Sequence, residues 1–137
     1  MILLVCTDDA GGMLFNRRRQ SQDRILREKI LSLTAGGVLW MNEYSYGQFR
    51  DGTAEGIRVD GAFLQKAGSG EYCFVEDQRI DLADGRIEAV IRYCWNRAYP
   101  ADLYLDLEQL AARFRLVSRE EFAGSSHEKI TKERYVR

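Results

Sequence analysis

The stretch "TAGGVLWMNEYSYGQF", Thr34–Phe49, carries the punctuation of an α/β protein. It opens on the Gly36-Gly37 pair, a glycine stop of the kind that closes a helix, and passes into the apolar run Val38–Met41. That run is too short and too uniformly apolar to have a wet face, which marks a strand buried on both sides. It leaves through Asn42, Glu43, Tyr44 and Ser45, and Tyr44–Arg50 reads as the start of a short helix running into the "RDGTAEG" loop. The end of such a strand is where α/β proteins place ligands.

Toward the N-terminus, Ile25, Ile30, Leu31 and Leu33 describe the apolar face of a helix with Ser21 as its N-cap. Ile2–Cys6 before it is a second both-sides-buried run, ended by "TDDAGG", and reads as a central parallel strand. Toward the C-terminus, "VDGAFLQKAGSG" reads as a helix capped by Asp60, and "EYCFVE" as a strand. "DGRIEAVIRYCWN" fits two periods. Ile87, Ala89, Ile91, Tyr93 and Trp95 alternate by two, while Ile87, Val90, Ile91 and Cys94 share a helical face, and the helix is the reading taken. "ADLYLDL" alternates as a strand after Pro100. "FRLVSREEF" and "HEKITKERYV", separated by the short "AGSS", predict a closing antiparallel pair. Strands alternating with helices and then a terminal strand pair predict an α/β layered fold with a mostly parallel sheet.

Composition limits the function classes. At 137 residues and 45% hydrophobic content the chain is expected to form a single domain over 1–137. Twenty basic residues against twenty-one acidic give no global attraction to nucleic acid or to anionic membranes, so neither is an expected partner. "MILLVC" is too short for a signal-peptide core, and no apolar run reaches membrane-spanning length. Cys6, Cys73 and Cys94 are odd in number and lack CxxC spacing, which predicts free thiols and a cytoplasmic location.

The order of the pieces is more specific than their composition. "MILLVCTDDAGGMLFN", a helix ending in "LTAGGVLWM", then "YPADLYLDL", then "FRLVSREEFAGSSHEKITKERYVR" together resemble dihydrofolate reductase. In that family a first strand enters a glycine-containing mobile loop, and an apolar strand ending in Met precedes Gly-Arg-x-Thr. A Leu-Tyr-Leu strand and a C-terminal strand pair follow. The resemblance spans nearly the whole chain. It implies a three-layer domain with a mostly parallel central sheet, and NADPH as the cofactor to look for.

Carried over residue by residue, the resemblance implies that the family's functional side chains are replaced here. The first-helix carboxylate falls at Ile25 or Leu26, with Asp23 and Glu28 the nearest acids. Gly-Arg-x-Thr aligns with Asn42, Glu43, Tyr44 and Ser45, where only Ser45 keeps the chemistry. Glu43 reverses the charge of an Arg that would pair a phosphate through charge-assisted hydrogen bonds. The later glycine pair, on which the pyrophosphate would lie, is Glu76-Asp77, and the Thr closing Leu-Tyr-Leu-Thr is Asp106.

The candidate ligand-binding set is therefore Arg17, Arg18, Arg19, Asn42, Ser45, Glu76 and Asp106. The arginines suit an anionic small molecule, against the ordinary reading of a solvated basic loop. Glu76, Asp77 and Asp106 are read as solvent-facing acids in preference to a divalent-cation site. His127, the one histidine, has no HxH or HExxH context, and Ser125 and Ser126 beside it lack a nucleophile elbow. "YCWNRAYP" places Tyr93, Trp95 and Tyr99 with arginines, a composition suited to a homo-oligomer surface. The leading reading is a non-catalytic protein of this fold that binds a small anionic ligand. The alternative is an NAD(P)H-dependent reductase acting on a pterin or other small substrate, with Arg17, Arg18 and Arg19 on the phosphates and Asp23 or Glu28 as acid.

Overall fold

Ile2–Thr7 has to bury both of its faces, and the computed structural model, described here for residues 1–50 and 55–137, puts this strand (β1) fourth in a seven-stranded sheet. The strands after it are β2 (Gly12–Phe15), β3 (Arg18–Arg19), β4 (Leu39–Met41), β5 (Ile57–Val59), β6 (Tyr72–Phe74), β7 (Ala89–Cys94), β8 (Leu103–Tyr104), β9 (Arg115–Phe122) and β10 (Ile130–Val136). The helices are α1 (Arg24–Thr34), α2 (Glu43–Tyr46), α3 (Phe63–Lys66) and α4 (Leu107–Arg113). The large sheet runs β5-β4-β6-β1-β7-β10-β9. Its first five strands are parallel, and β10 and β9 close it antiparallel. A small antiparallel sheet, β3-β2-β8, stands apart.

The side-chain alternation of β1 divides the core in two. Leu3 and Val5 pack with Phe63, Leu105, Leu110 and Phe114, while Leu4 packs with Leu26, Ile30, Phe49 and Ile130. Helices therefore cover both faces of the parallel part of the sheet, giving the three layers expected from the sequence.

The segment read as a helix in "DGRIEAVIRYCWN" is a strand. β7 pairs with β1 over its full length, Ile2↔Ala89 to Thr7↔Cys94. Val90 faces one core, and Ile91, Tyr93 and Trp95 face the other. A strand buried on both sides shows little polar alternation, which is why its period was ambiguous. The same packing removes Tyr93 and Trp95 from any oligomer surface, since they are 1% and 3% exposed; only Tyr99 of that trio is partly accessible.

Local signals are shifted in three further places. Asp23, not Ser21, caps α1, its carboxylate accepting the N–H of Leu26. Asp60 does not cap α3, whose N-cap is Ala62; its carboxylate accepts the Ala62 N–H one residue too early. "ADLYLDL" yields only the two-residue β8, because Asp106 caps α4 and turns the chain into helix. Ile57–Val59 adds an edge strand between the "RDGTAEG" loop and the segment read as a helix from Val59, and residues 51–54 of that loop lie outside the described part.

The strand reading of β7 can be tested against an exposed position. Tyr93→Ala, at a site 1% exposed in the strand but off the apolar face of the helix alternative, should lower unfolding free energy by about 3–5 kcal/mol in urea titration. Leu116→Ala, on the exposed face of β9, should change it by less than about 0.5 kcal/mol.

Candidate functional site at the carboxyl ends of the parallel strands

The carboxyl ends of β4, β6, β1 and β7 fall along one edge of the sheet, where the chain must turn without sheet hydrogen bonds. Asp8 organises the turn after β1. Its carboxylate, 2% exposed, accepts the backbone N–H of Ala10, Gly12 and Tyr99 and the side-chain amide of Gln20. Gly11 and Gly12 are required there. Gly11 has φ +87°, and a Cβ on Gly12 would lie 2.6 Å from Ala101 and 2.8 Å from the Asp8 carboxylate.

From that turn β2 and β3 form a hairpin closed by Asn16 and Arg17, with φ of 51° and 63°, the left-handed pair that a two-residue hairpin needs. The turn presents Arg17 and Arg18 to solvent and directs Arg19 inward. The Arg19 guanidinium forks onto Glu76, Nε to Oε2 at 3.0 Å and Nη2 to Oε1 at 3.2 Å. It also donates to the Tyr44 carbonyl and lies 4.5 Å from the centre of the Tyr44 ring. The Tyr44 hydroxyl accepts the Arg19 backbone N–H at 2.7 Å, and Gln48 donates to Glu76 at 2.9 Å. Glu76 is only 7% exposed, so this charge is neutralised within the protein.

The neighbouring candidates are also engaged. Asn42 caps α2 by accepting the Ser45 N–H, and its amide donates to Asp77 at 2.8 Å. Ser45 is buried with its hydroxyl lacking a partner among the described residues. Asp106 sits after β8, where it accepts the Gln109 N–H as the α4 cap. The structure thus joins Arg19, Tyr44, Gln48 and Glu76 in one cluster, with Asn42 and Asp77 bridged alongside, and leaves Arg17 and Arg18 in solvent. Glu76 is not the solvent-facing acid that the sequence reading made it. Tyr44 enters the sequence analysis only as a replaced motif position and Gln48 not at all, and nothing local to them signals their contacts with Arg19 and Glu76.

The first-helix acids separate. Glu28 is exposed and pairs with Arg24 one turn away. Asp23 is buried and accepts from the backbone N–H of Leu26, Ser125 and Ser126, the Ser126 hydroxyl and His127 Nδ1. Burial works against its charge, yet the hydrogen bonds from Ser126, Ser125, His127 and Leu26 hold its carboxyl well below the usual range. Of Ile25 and Leu26, the two positions where the resemblance places the family's acid, Leu26 belongs to the core and Ile25 is half-buried.

Other chemistry at this edge is limited. Burial pushes Cys73 and Cys94 up to about 12 and Cys6 well above its ordinary value, so these free cysteines stay as thiols. No group of three His, Cys, Asp or Glu side chains suited to a metal ion occurs among the described residues. A cavity of about 360 Å³ lies away from the cluster, between the last turn of α1 and the starts of β4 and β5, lined in part by Leu31, Thr34, Leu39 and Ile57. No helix among the described residues is long and apolar enough to cross a membrane.

A central parallel sheet, helices on both faces and an antiparallel closing pair place the chain in the dihydrofolate reductase-like class of α/β folds. A dihydrofolate reductase from Enterococcus faecalis, solved with NADP(H) and RAB-propyl, superposes with a TM-score of 0.65 over 99% of this chain and 95% of its own, at 9% sequence identity. No family model matches the sequence. No significant match occurs among curated proteins.

Two outcomes follow from this geometry. Arg19→Ala strands a buried carboxylate and should cost about 2–3 kcal/mol in chemical denaturation, whereas Arg19→Met with Glu76→Leu, which removes both charges, should recover most of that loss. Asp23 contributes stability that is fully present above its ordinary value of 3.8 and is lost as pH falls below it toward the depressed folded value. The melting temperature of Asp23→Asn should therefore start lower and fall less steeply than that of the parent between about pH 5 and about pH 2.

Proposed function

We propose that this chain is a cytoplasmic binding protein built on the dihydrofolate reductase scaffold, without dihydrofolate reductase activity. Its ligand is a small anion taken at the mouth of the altered cleft. The observation that carries the reading is the Arg19–Glu76 fork beside Tyr44, which puts a closed, self-neutralised ion pair at a strand end. The carboxylate of Glu76 faces this edge where, by resemblance, glycine would leave bare backbone for a pyrophosphate. Arg17 and Arg18, held outward by the left-handed turn, are the cations available to an incoming anion. Three free thiols support the reducing location.

The alternative NAD(P)H-dependent reductase draws on Arg17, Arg18 and Arg19 for phosphate contacts and on Asp23 or Glu28 as acid. Arg19 and Asp23 already have protein partners for their charges, and Glu28 pairs with Arg24 in solvent. A reductase of this kind would have to release Asp23 or Glu28 as its acid, with Arg17 and Arg18 left to meet the phosphates.

Titration with NADPH and NADH, followed by nicotinamide fluorescence and melting temperature together, tests the proposal. Neither nucleotide should bind saturably, and dihydrofolate should not be reduced. Inorganic pyrophosphate should raise the melting temperature by mass action, an effect lost in the Arg17→Ala, Arg18→Ala double variant. NADPH-dependent consumption of dihydrofolate by the purified protein would overturn this reading.

A further inference from the structure

A second constellation lies at the start of α1, apart from the Arg19–Glu76 cluster. His127, in the segment between β9 and β10, is 6% exposed and stacked on Trp95, ring centres 4.5 Å apart at 26°. Its Nδ1 lies 3.1 Å from Asp23 Oδ2, and its Nε2 lies 3.0 Å from the hydroxyl of Ser21. Asp23 is an ionised acceptor already oriented by the N–H groups of Leu26, Ser125 and Ser126. It therefore takes the Nδ1 proton, which leaves the Nε2 lone pair directed at the Ser21 O–H. Ser21 is partly exposed, while His127 and Asp23 are buried. A space of about 360 Å³ opens beside His127, with Trp95, Asn96, Arg97 and Lys129 among its walls. The Tyr99 hydroxyl, 3.4 Å from Nε2, is an O–H donor on the Ser21 side of the ring.

We propose that Ser21, His127 and Asp23 form a nucleophilic hydrolase site acting on short-chain carboxylic esters. The order of hydrogen bonds, hydroxyl to imidazole to buried carboxylate, is the one in which a histidine relieves a serine of its proton as the oxygen attacks. Ser21 Oγ bonds to the ester carbonyl carbon as its proton passes to His127 Nε2. The bond to the alkoxide then breaks, and that alkoxide leaves with the proton from Nε2. Water repeats the cycle on the acyl-serine: its oxygen bonds to the carbonyl carbon, its proton goes to Nε2, and the carboxylic acid departs as Ser21 recovers a proton. Asp23 is a positioning residue that fixes the imidazole tautomer. A purely structural role for the same contacts, pinning the 124–127 segment onto α1, needs the Asp23 bonds to Ser125, Ser126 and His127. In that role the Ser21 hydroxyl would simply satisfy the buried Nε2, and covalent labelling of Ser21 separates the two.

The test is covalent labelling of the full chain with a fluorophosphonate, read by intact mass and peptide mapping, beside hydrolysis of p-nitrophenyl butyrate. One adduct per chain, on Ser21, is expected. Ser21→Ala should abolish it and lower ester turnover by ~10³-fold or more, with the melting temperature little changed because this side chain is not in the core. Ser118→Ala, at an exposed position of β9, should still be labelled at Ser21. Absence of an adduct on folded protein, an adduct mapping elsewhere, or ester turnover undiminished in Ser21→Ala would overturn the proposal.

Discussion

A strand flanked by parallel partners and covered by helices on both faces has no place for a polar side chain until it leaves the sheet, and β1 is that strand here. Leu3 and Val5 are committed to one core and Leu4 to the other, so the register of β6 and β7 against β1 fixes which residues of every later strand point where. The polar residues arrive together at the exit. Thr7 and Asp8 follow the last apolar position, and both are tied back: Arg92 of β7 donates to the Thr7 hydroxyl at 2.7 Å and to the Asp8 carbonyl at 3.1 Å. The edge of the sheet that carries the loops is thus anchored to the central strand through backbone and side chain alike.

Each charge drawn into that edge is matched. Glu133 of β10, 3% exposed, meets Arg92 at 3.2 Å and Arg119 at 2.9 Å and accepts the Tyr135 hydroxyl. Glu76 meets Arg19, and Asp23 meets four N–H or O–H donors besides His127. Pairs of this kind add little net stability, because desolvation offsets much of the attraction, but leaving one partner alone is costly. Their effect is to specify: the β2–β3 hairpin has one place to dock because only there does Arg19 find its carboxylate. The consequence for function is a separation of cations, with Arg19 spent on structure and Arg17 and Arg18 left at the surface by a turn whose two central residues both have positive φ.

Much of this was legible in the residues themselves. Short apolar runs bounded by glycine and acidic turns identified β1, β4 and β6, and alternation with a short connection identified β9 and β10. Two segments differ from that reading: β7, whose longer apolar run on both faces also fits a helix stripe, and α4, which begins because Asp106 bonds to Gln109. Ser21 and Asp23 are both good N-cap residues two positions apart, and what chooses between them is the Ser125–His127 segment arriving from the other end of the chain.

By itself, then, the sequence determined the layered fold, since hydrophobic period and turn chemistry are local and are read within a few residues. Which charges meet was decided by tertiary structure alone. Arg19 and Glu76, Arg92 and Glu133, and Ser21, Asp23 and His127 are brought together by strand order and loop docking across long separations in the chain. A charged residue in a sequence carries no mark of its partner, because pairing energy depends on distance and burial, and both exist only once the sheet has formed.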